Sequence, residues 1–359
     1  MDISHSNILI TGGAGFIGSN LAISLKKDFP KLNITCFDNL SRRGSILNVK
    51  RLETSGIKFI HGDIRNKEDF EQIGNIDSLI ECSAEPSVLA GLSGSPEYVI
   101  QTNLFGTVNC LEFARINKAA FIFLSTSRVY PLEAIATAAV SETNTRFKFN
   151  RKQKTAGISN QGISEKLPLG GTRSFYGATK LASELLINEY HAFYGLKTVV
   201  NRCGMISGPW QMGKVDQGVV ALWVAAHYFK KNLSYIGFGG YGKQVRDVLH
   251  IDDLYNLIKL QLRQLDKFNG KTFNVGGGLK NTVSLLELTK LCEHITGNKI
   301  VIKKQAKERP ADLKIFVTDN SKIFEFCRWK PKKGIEIIAK DIYIWIRNNS
   351  SILIDYFNI

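Results

Sequence analysis

Proline is scarce in this chain, 8 of 359 residues against 31 glycines, a balance that argues for tight turns rather than proline-rich linkers. No apolar run reaches the ~18 to 20 residues needed to cross a bilayer; the longest candidate lies around Val219 to Phe229. The start, Met1-Asp2-Ile3-Ser4-His5, lacks the basic and then apolar pattern of a secretory signal. The expectation is a soluble, cytoplasmic protein without a membrane partner. CxxC pairs are missing, as are Cys/His groupings at metal-ligand spacing. Cys36, Cys82, Cys110, Cys203, Cys292 and Cys327 are therefore expected to be buried, reduced thiols, with no metal. Repeats and low-complexity tracts are also lacking.

Acidic residues are in deficit, 32 against 47 Lys and Arg, for a formal charge of +15. The excess is scattered over Lys26-Lys27, Arg42-Arg43, Lys230-Lys231, Lys303-Lys304 and Lys330 to Lys333, without interleaved aromatics. This predicts a solvated basic face that can attract a phosphate-bearing substrate, and no nucleic-acid site. What is plentiful is apolar: 44% hydrophobic with 22% charged residues excludes disorder and permits a large core.

Short apolar runs recur at Asn7 to Thr11, Asn33 to Phe37, Lys58 to Ile60, Ser78 to Glu81, Phe121 to Ser125 and Thr198 to Asn201. Helical periodicity lies between them, as in Asn103 to Arg115 and Lys180 to Tyr194. Alternation of this kind predicts an α/β fold, a Rossmann-like doubly wound parallel sheet with helices on both faces. Beyond Met205 the rhythm changes to shorter helices and glycine-rich turns, which predicts a smaller C-terminal α/β substrate lobe. The expected division is 1–204 and 205–359, with a soft, interleaved boundary. The polar stretch from Glu133 to Thr172 reads as a lid or an insertion. Ile335, Ile338, Ile342, Trp345 and Ile346 mark a helix packing on the small lobe rather than lying on a membrane.

Two sites stand out. Gly12, Gly15 and Gly18 sit between the first strand and a helix. There, glycines allow a tight turn, close backbone approach to a pyrophosphate and close helix packing. Asp38 ends the next strand, placed to accept hydrogen bonds from an adenosine ribose. A carboxylate there favours NAD over NADP, while the neighbouring Arg42 and Arg43 could accommodate a 2′-phosphate. At the second site Thr126 follows an apolar strand, and Tyr176 and Lys180 open a helix one turn apart, on one face. An ammonium beside a phenol favours the phenolate, which suits a general base.

Together these residues resemble the extended short-chain dehydrogenase/reductase family of nucleotide-sugar epimerases and dehydratases, over nearly the whole chain. The resemblance implies that Thr126 hydrogen-bonds the reacting sugar hydroxyl, that Tyr176 is the acid/base, and that Lys180 holds the nicotinamide ribose and lowers the tyrosine pKa. It implies an NAD site made by Gly12, Gly15, Phe16, Ile17, Gly18, Asp38, Asn39, Arg42, Asp63, Ile64, Ala84 and Asn103, with Tyr176 and Lys180. Asp63 and Ile64 would contact adenine, and Asn103 would support the site from a neighbouring helix. Arg246 and Arg309 would hold the diphosphate of the nucleotide-sugar, and Glu85, Ser127 and Arg128 would line the sugar. Relatives form dimers or tetramers, often through two helices of the large lobe, so a homo-oligomer is expected.

Sugar 4,6-dehydratases resemble one another in an Asp-Glu pair after the catalytic Thr; here Ser127 and Arg128 stand in those places. Elimination thereby loses its proton carriers, and hydride shuttling remains. At Met205 many relatives have Asn. The segments Phe37 to Arg42, Gly62 to Asn66, Glu142 to Arg146, Asp216-Gln217-Gly218 and Gly242 to His250 resemble the epimerase branch that inverts C2 of a CDP-linked sugar. The reaction implied is transient oxidation at C2, turnover of the keto-sugar and hydride return. Epimerisation at C4 of a UDP- or dTDP-sugar and decarboxylation of UDP-glucuronate remain open. A non-catalytic dinucleotide-binding regulator is the reading from a different class.

Overall fold

The computed structural model describes residues 3–213 and 217–357. It divides into two compact units that interleave along the chain. The first takes 1–129, 175–202 and 255–273, and the second takes 130–174, 203–254 and 274–359. The break expected after 204 falls at Arg202–Cys203. Two segments cross over, 130–174 to the second unit and 255–273 to the first.

The first unit is built on strands β1 (Asn7–Thr11), β2 (Asn33–Asp38), β3 (Lys58–His61), β4 (Ser78–Glu81), β5 (Ala120–Thr126), β6 (Thr198–Cys203) and β7 (Lys271–Val275). They form one sheet in the order β7-β6-β5-β4-β1-β2-β3. The pairs β1/β2, β1/β4, β2/β3 and β4/β5 are parallel, with Thr11 opposite both Phe37 and Glu81, and Glu81 opposite Phe123. This register brings the carboxyl ends of β1, β2, β4 and β5 to one edge, where ligands bind in open α/β sheets. Helices α1 (Phe16–Asp28), α2 (Gly106–Ile116) and α3 (Phe175–Tyr194) cover the sheet. Leu9, Phe37, Leu79, Phe121 and Phe123 pack against Cys110, Leu111 and Ala114 of α2 and Ile187 of α3. Strands buried on both faces require such near-continuous apolar runs, each large side chain contributing about 1.5 to 3 kcal/mol.

The expected helix from Asn103 to Arg115 begins differently. A π-helical turn spans Gln101–Phe105 before α2 starts. Such a turn leaves a carbonyl without its usual helical partner. Here the Asn103 carbonyl accepts from the Ser183 hydroxyl at 3.0 Å.

In the second unit, strand Val245–His250 pairs in parallel with Met205–Ser207 and Ile315–Phe316 and antiparallel with Thr282–Ser284. Its helices include α4 (Val219–Tyr228), α5 (Leu285–Thr296) and α6 (Ile335–Asn348). Ser284 and Glu287 form a capping box at the start of α5. Ile338, Ala339, Ile342, Trp345 and Ile346 of α6 are buried, and α6 packs on α4 and α5. Among the described residues, no helix is long and apolar enough to cross a membrane.

The stretch from Glu133 to Thr172 is an anchored insertion. It holds the hairpins Val140–Glu142 with Phe147–Phe149 and Ile158–Ser159 with Gly162–Ile163. Phe147 packs with Val245, Ile315 and Val317. Glu142 pairs with Lys243 at 2.6 Å, and Arg146 donates to Glu287 at 2.7 Å and Thr282 at 2.9 Å. The Glu142 to Arg146 segment thus ties this insertion to α5. Asp216 lies outside the described residues.

The six cysteines are free thiols; five are buried, and Cys82 is partly exposed beside the glycine turn.

Candidate active site

The turn between β1 and α1 explains its glycines. Gly12 adopts φ +63°, and a Cβ there would lie 2.8 Å from the Cys82 backbone. A Cβ on Gly18 would collide with the Gly12 carbonyl. Gly15 is the N-cap of α1; it brings no side chain, no side-chain cap is present, and the first turn holds no acidic residue. Phe16 and Ile17 open the helix. Its leading N–H groups are left for an anion, with the positive end of the helix dipole behind them.

Asp38 ends β2. Its carboxylate accepts from the N–H groups of Ala14 at 3.1 Å and Leu40 at 2.8 Å. Burial pushes its pKa up, against these backbone donors. Asn39 donates to Asp63 at 2.7 Å, and Arg65 grips the same carboxylate at 2.7 and 3.0 Å. Burial works to raise the Asp63 carboxyl, but Arg65 and Asn39 hold it at about 2. The Asp63 N–H is already donated to Asp69 at 2.7 Å. Ile64 is buried, its carbonyl accepting from Asn109 at 2.8 Å. These residues fit a dinucleotide: a side-chain-free cradle, open helix amides and a carboxylate at the adjoining strand end.

Asn103, expected to support the cofactor site from a neighbouring helix, is held at the loop after β4. It is fully buried, and its side chain clamps Glu85, accepting from the Glu85 N–H at 2.7 Å and donating to the Glu85 carbonyl at 3.0 Å. It fixes the loop after β4, which carries Ala84. Glu85, expected to line the sugar, is also engaged within the protein. Its carboxylate accepts from the Ser87 N–H at 3.0 Å and pairs with Arg42 at 3.6 Å.

Thr126 closes β5 and is buried. Its hydroxyl oxygen accepts from the Arg128 N–H at 3.1 Å, which leaves the O–H able to donate elsewhere. Ser127 and Arg128 lie in the short 3₁₀ turn that follows. Tyr176 and Lys180 stand one turn apart on α3, as their spacing predicts. Lys180 is 1% exposed, with its ammonium 3.8 Å from the centre of the Phe123 ring. Next to Thr126, the Ser125 hydroxyl bonds Glu184, which also holds Arg202 at 2.7 Å and 3.0 Å. Sequence reasoning missed Glu184. Its signal was position, four residues beyond Lys180 on the same helical face.

In the second unit, Arg246 and Arg309 converge on Asp312. Arg246 donates at 2.9 Å, and Arg309 lies at 3.6 Å. Asp312 holds the two guanidinium groups together.

With this geometry in view, the comparisons define the class. The model of the NAD dependent epimerase/dehydratase family matches residues 8–276, and the chain belongs to that family. It is an NAD-dependent enzyme. It is similar to the CDP-paratose 2-epimerase of Salmonella typhi, 34% identical over 347 residues, covering 94% of this chain and 98% of that protein. A UDP-glucuronate 4-epimerase of Thermodesulfobacterium geofontis is 28% identical, covering 96% and 97%. Among solved structures, the UDP-glucuronic acid 4-epimerase from Bacillus cereus in complex with UDP-glucuronic acid and NAD superposes with a TM-score of 0.77. It is 25% identical and covers 95% of this chain and 99% of that one.

Proposed function

We propose that this enzyme inverts C2 of a CDP-linked 3,6-dideoxyhexose, converting CDP-paratose to CDP-tyvelose. The observation that carries this reading is the likeness to the CDP-paratose 2-epimerase over 98% of that protein's length. Ser127 and Arg128 after Thr126 support it, since neither can serve as the carboxylate pair of a dehydratase.

In this reading the cradle of Gly12, Gly15, Phe16, Ile17 and Gly18 holds the pyrophosphate of NAD. Asp38 holds the adenosine ribose, and Asp63 and Ile64 flank the adenine. NAD, when bound, supplies a hydride acceptor that gives the hydride back. Thr126 donates to the C2 oxygen and keeps it facing Tyr176. The Tyr176 phenolate removes the hydroxyl proton, and the Lys180 ammonium stabilises that phenolate. The keto-sugar then presents its other face, and Tyr176 returns the proton to the oxygen. The protein works as a cytoplasmic homo-oligomer.

The test is incubation of the NAD-loaded protein with CDP-paratose and, separately, UDP-glucuronate. Appearance of CDP-tyvelose supports the reading. Inversion at C4 of the uronate, or release of carbon dioxide from it, with CDP-paratose untouched, replaces it with C4 chemistry.

A further inference from the structure

One buried carboxylate in the sheet is not used by the mechanism above. Glu81 ends β4 and is fully buried. Its Oε1 accepts from the Thr107 hydroxyl at 2.7 Å; its Oε2 is buried without a hydrogen-bond partner. In register, Glu81 stands between Thr11 of β1 and Phe123 of β5. Side chains opposite one another in register share a face of the sheet, on strands ~4.8 Å apart. Phe123 is the ring over which the Lys180 ammonium sits.

We propose that Glu81 is a positioning residue for the Lys180–Tyr176 pair: its carboxylate, fixed by Thr107 within electrostatic reach of the Lys180 ammonium, sets how much of that charge Tyr176 feels. The inference rests on the reading of Tyr176 as the ionising base.

A carboxylate is expensive to bury without a compensating cation. The groups facing Glu81 are Thr11 from β1, Phe123 from β5, Thr107 and Cys110 from α2 and Lys180 from α3. Lys180 is the cation among them. Burial pushes the Cys110 thiol well up, with Glu81 adding to the effect, so it stays neutral. Burial raises the Glu81 carboxyl to about 7, while Lys180 and Thr107 pull it down. The sign of the coupling follows. Below that range Glu81 is neutral, and Tyr176 feels the full ammonium, which favours phenolate. Above it Glu81 is ionised, cancels part of the ammonium's field and holds the phenol proton more tightly. Glu81 therefore restrains the base at high pH and releases it at low pH.

The test is a pH titration of tyrosinate absorbance on the NAD-bound protein, with Tyr176→Phe used to subtract the other tyrosines. Glu81→Gln keeps the size and the Thr107 contact but cannot ionise. It should move the Tyr176 component to lower pH by about one unit, a tenfold change in its ionisation constant. Thr107→Val removes the bond that favours the charged carboxylate. It should shift the component the same way by less, and it carries the test if Glu81→Gln does not fold. A merely structural role would lower the melting temperature without moving the titration. Superimposable titrations of wild type and variant overturn the inference alone. If Tyr176→Phe removes no component from the titration, the assignment of the base falls, and the inference with it.

Discussion

Asn103 and Glu85 hold each other through two hydrogen bonds, side-chain oxygen to N–H at 2.7 Å and side-chain amide to carbonyl at 3.0 Å. This clamp joins the π turn ahead of α2 to the loop after β4, whose Cys82 backbone abuts Gly12. Asn103→Ala leaves two part-buried backbone groups unpaired and should cost about 1 kcal/mol of stability. The loop would loosen against the cradle, so NAD should bind more weakly as well. Denaturant unfolding and an NAD titration check the two effects, and an unchanged NAD affinity would separate the clamp from the cradle.

In the proposed dinucleotide site, Asp38 and Arg42 would set opposing preferences for the adenosine ribose. Arg42 is drawn to Glu85 at 3.6 Å, while Asp38 is held by backbone N–H groups at the cradle. Asp38→Asn should weaken NAD about tenfold, the scale of one hydrogen bond to a charged group, and weaken NADP less. Equal losses for the two dinucleotides would remove Asp38 from the ribose site.

Glu184 and Arg202 form a buried pair, their side chains 5% and 9% exposed. Removing one partner strands the other charge, so Glu184→Ala should destabilise by about 3 to 5 kcal/mol. The Glu184→Leu/Arg202→Met double variant should recover most of that. Because Ser125 also bonds Glu184, next to Thr126, the double variant should still lower kcat more than it raises KM. Urea unfolding and steady-state kinetics test the two statements separately.

His227 of α4 is fully buried, with Nδ1 2.7 Å from the Trp223 carbonyl. A ring nitrogen facing a carbonyl must carry the proton, so Nδ1 is the donor in the neutral ring. Burial lowers its pKa from 6.5. The unfolded chain then takes up a proton near pH 6.5 that the folded chain refuses. Stability is intact above that value and falls as pH drops toward the lower, folded pKa. His227→Gln should flatten this slope in unfolding measured between about pH 7 and pH 5; an unaltered slope would place the titrating group elsewhere.

Much of this was legible because it is local. The glycine turn depends on three residues within seven positions, and Tyr176 with Lys180 on one turn of helix. The first six strands are short apolar runs between turn signals, and the structure places each of them within a few residues. What escaped depends on contacts distant in sequence. The Ser125–Glu184 bond spans 59 residues and the Asn103–Glu85 clamp 18. Nothing in the stretch from Glu133 to Thr172 announces that Phe147 packs beside Val245 and Val317, so the sequence leaves lid and insertion both open where the structure has a docked pair of hairpins. Glu81 closes the apolar run that begins at Ser78. Its place between Thr11 and Phe123 is set by sheet register, which the sequence does not spell out.

In the proposed reaction Tyr176 serves a C2 oxidation whose hydride returns to the same carbon. Proton NMR of CDP-paratose in deuterated water, with wild-type protein and Tyr176→Phe, checks this. CDP-tyvelose should appear with its C2 proton retained, and the variant should lose nearly all turnover with the nucleotide-sugar still bound. Deuterium at C2, or full activity without the phenol, would contradict it.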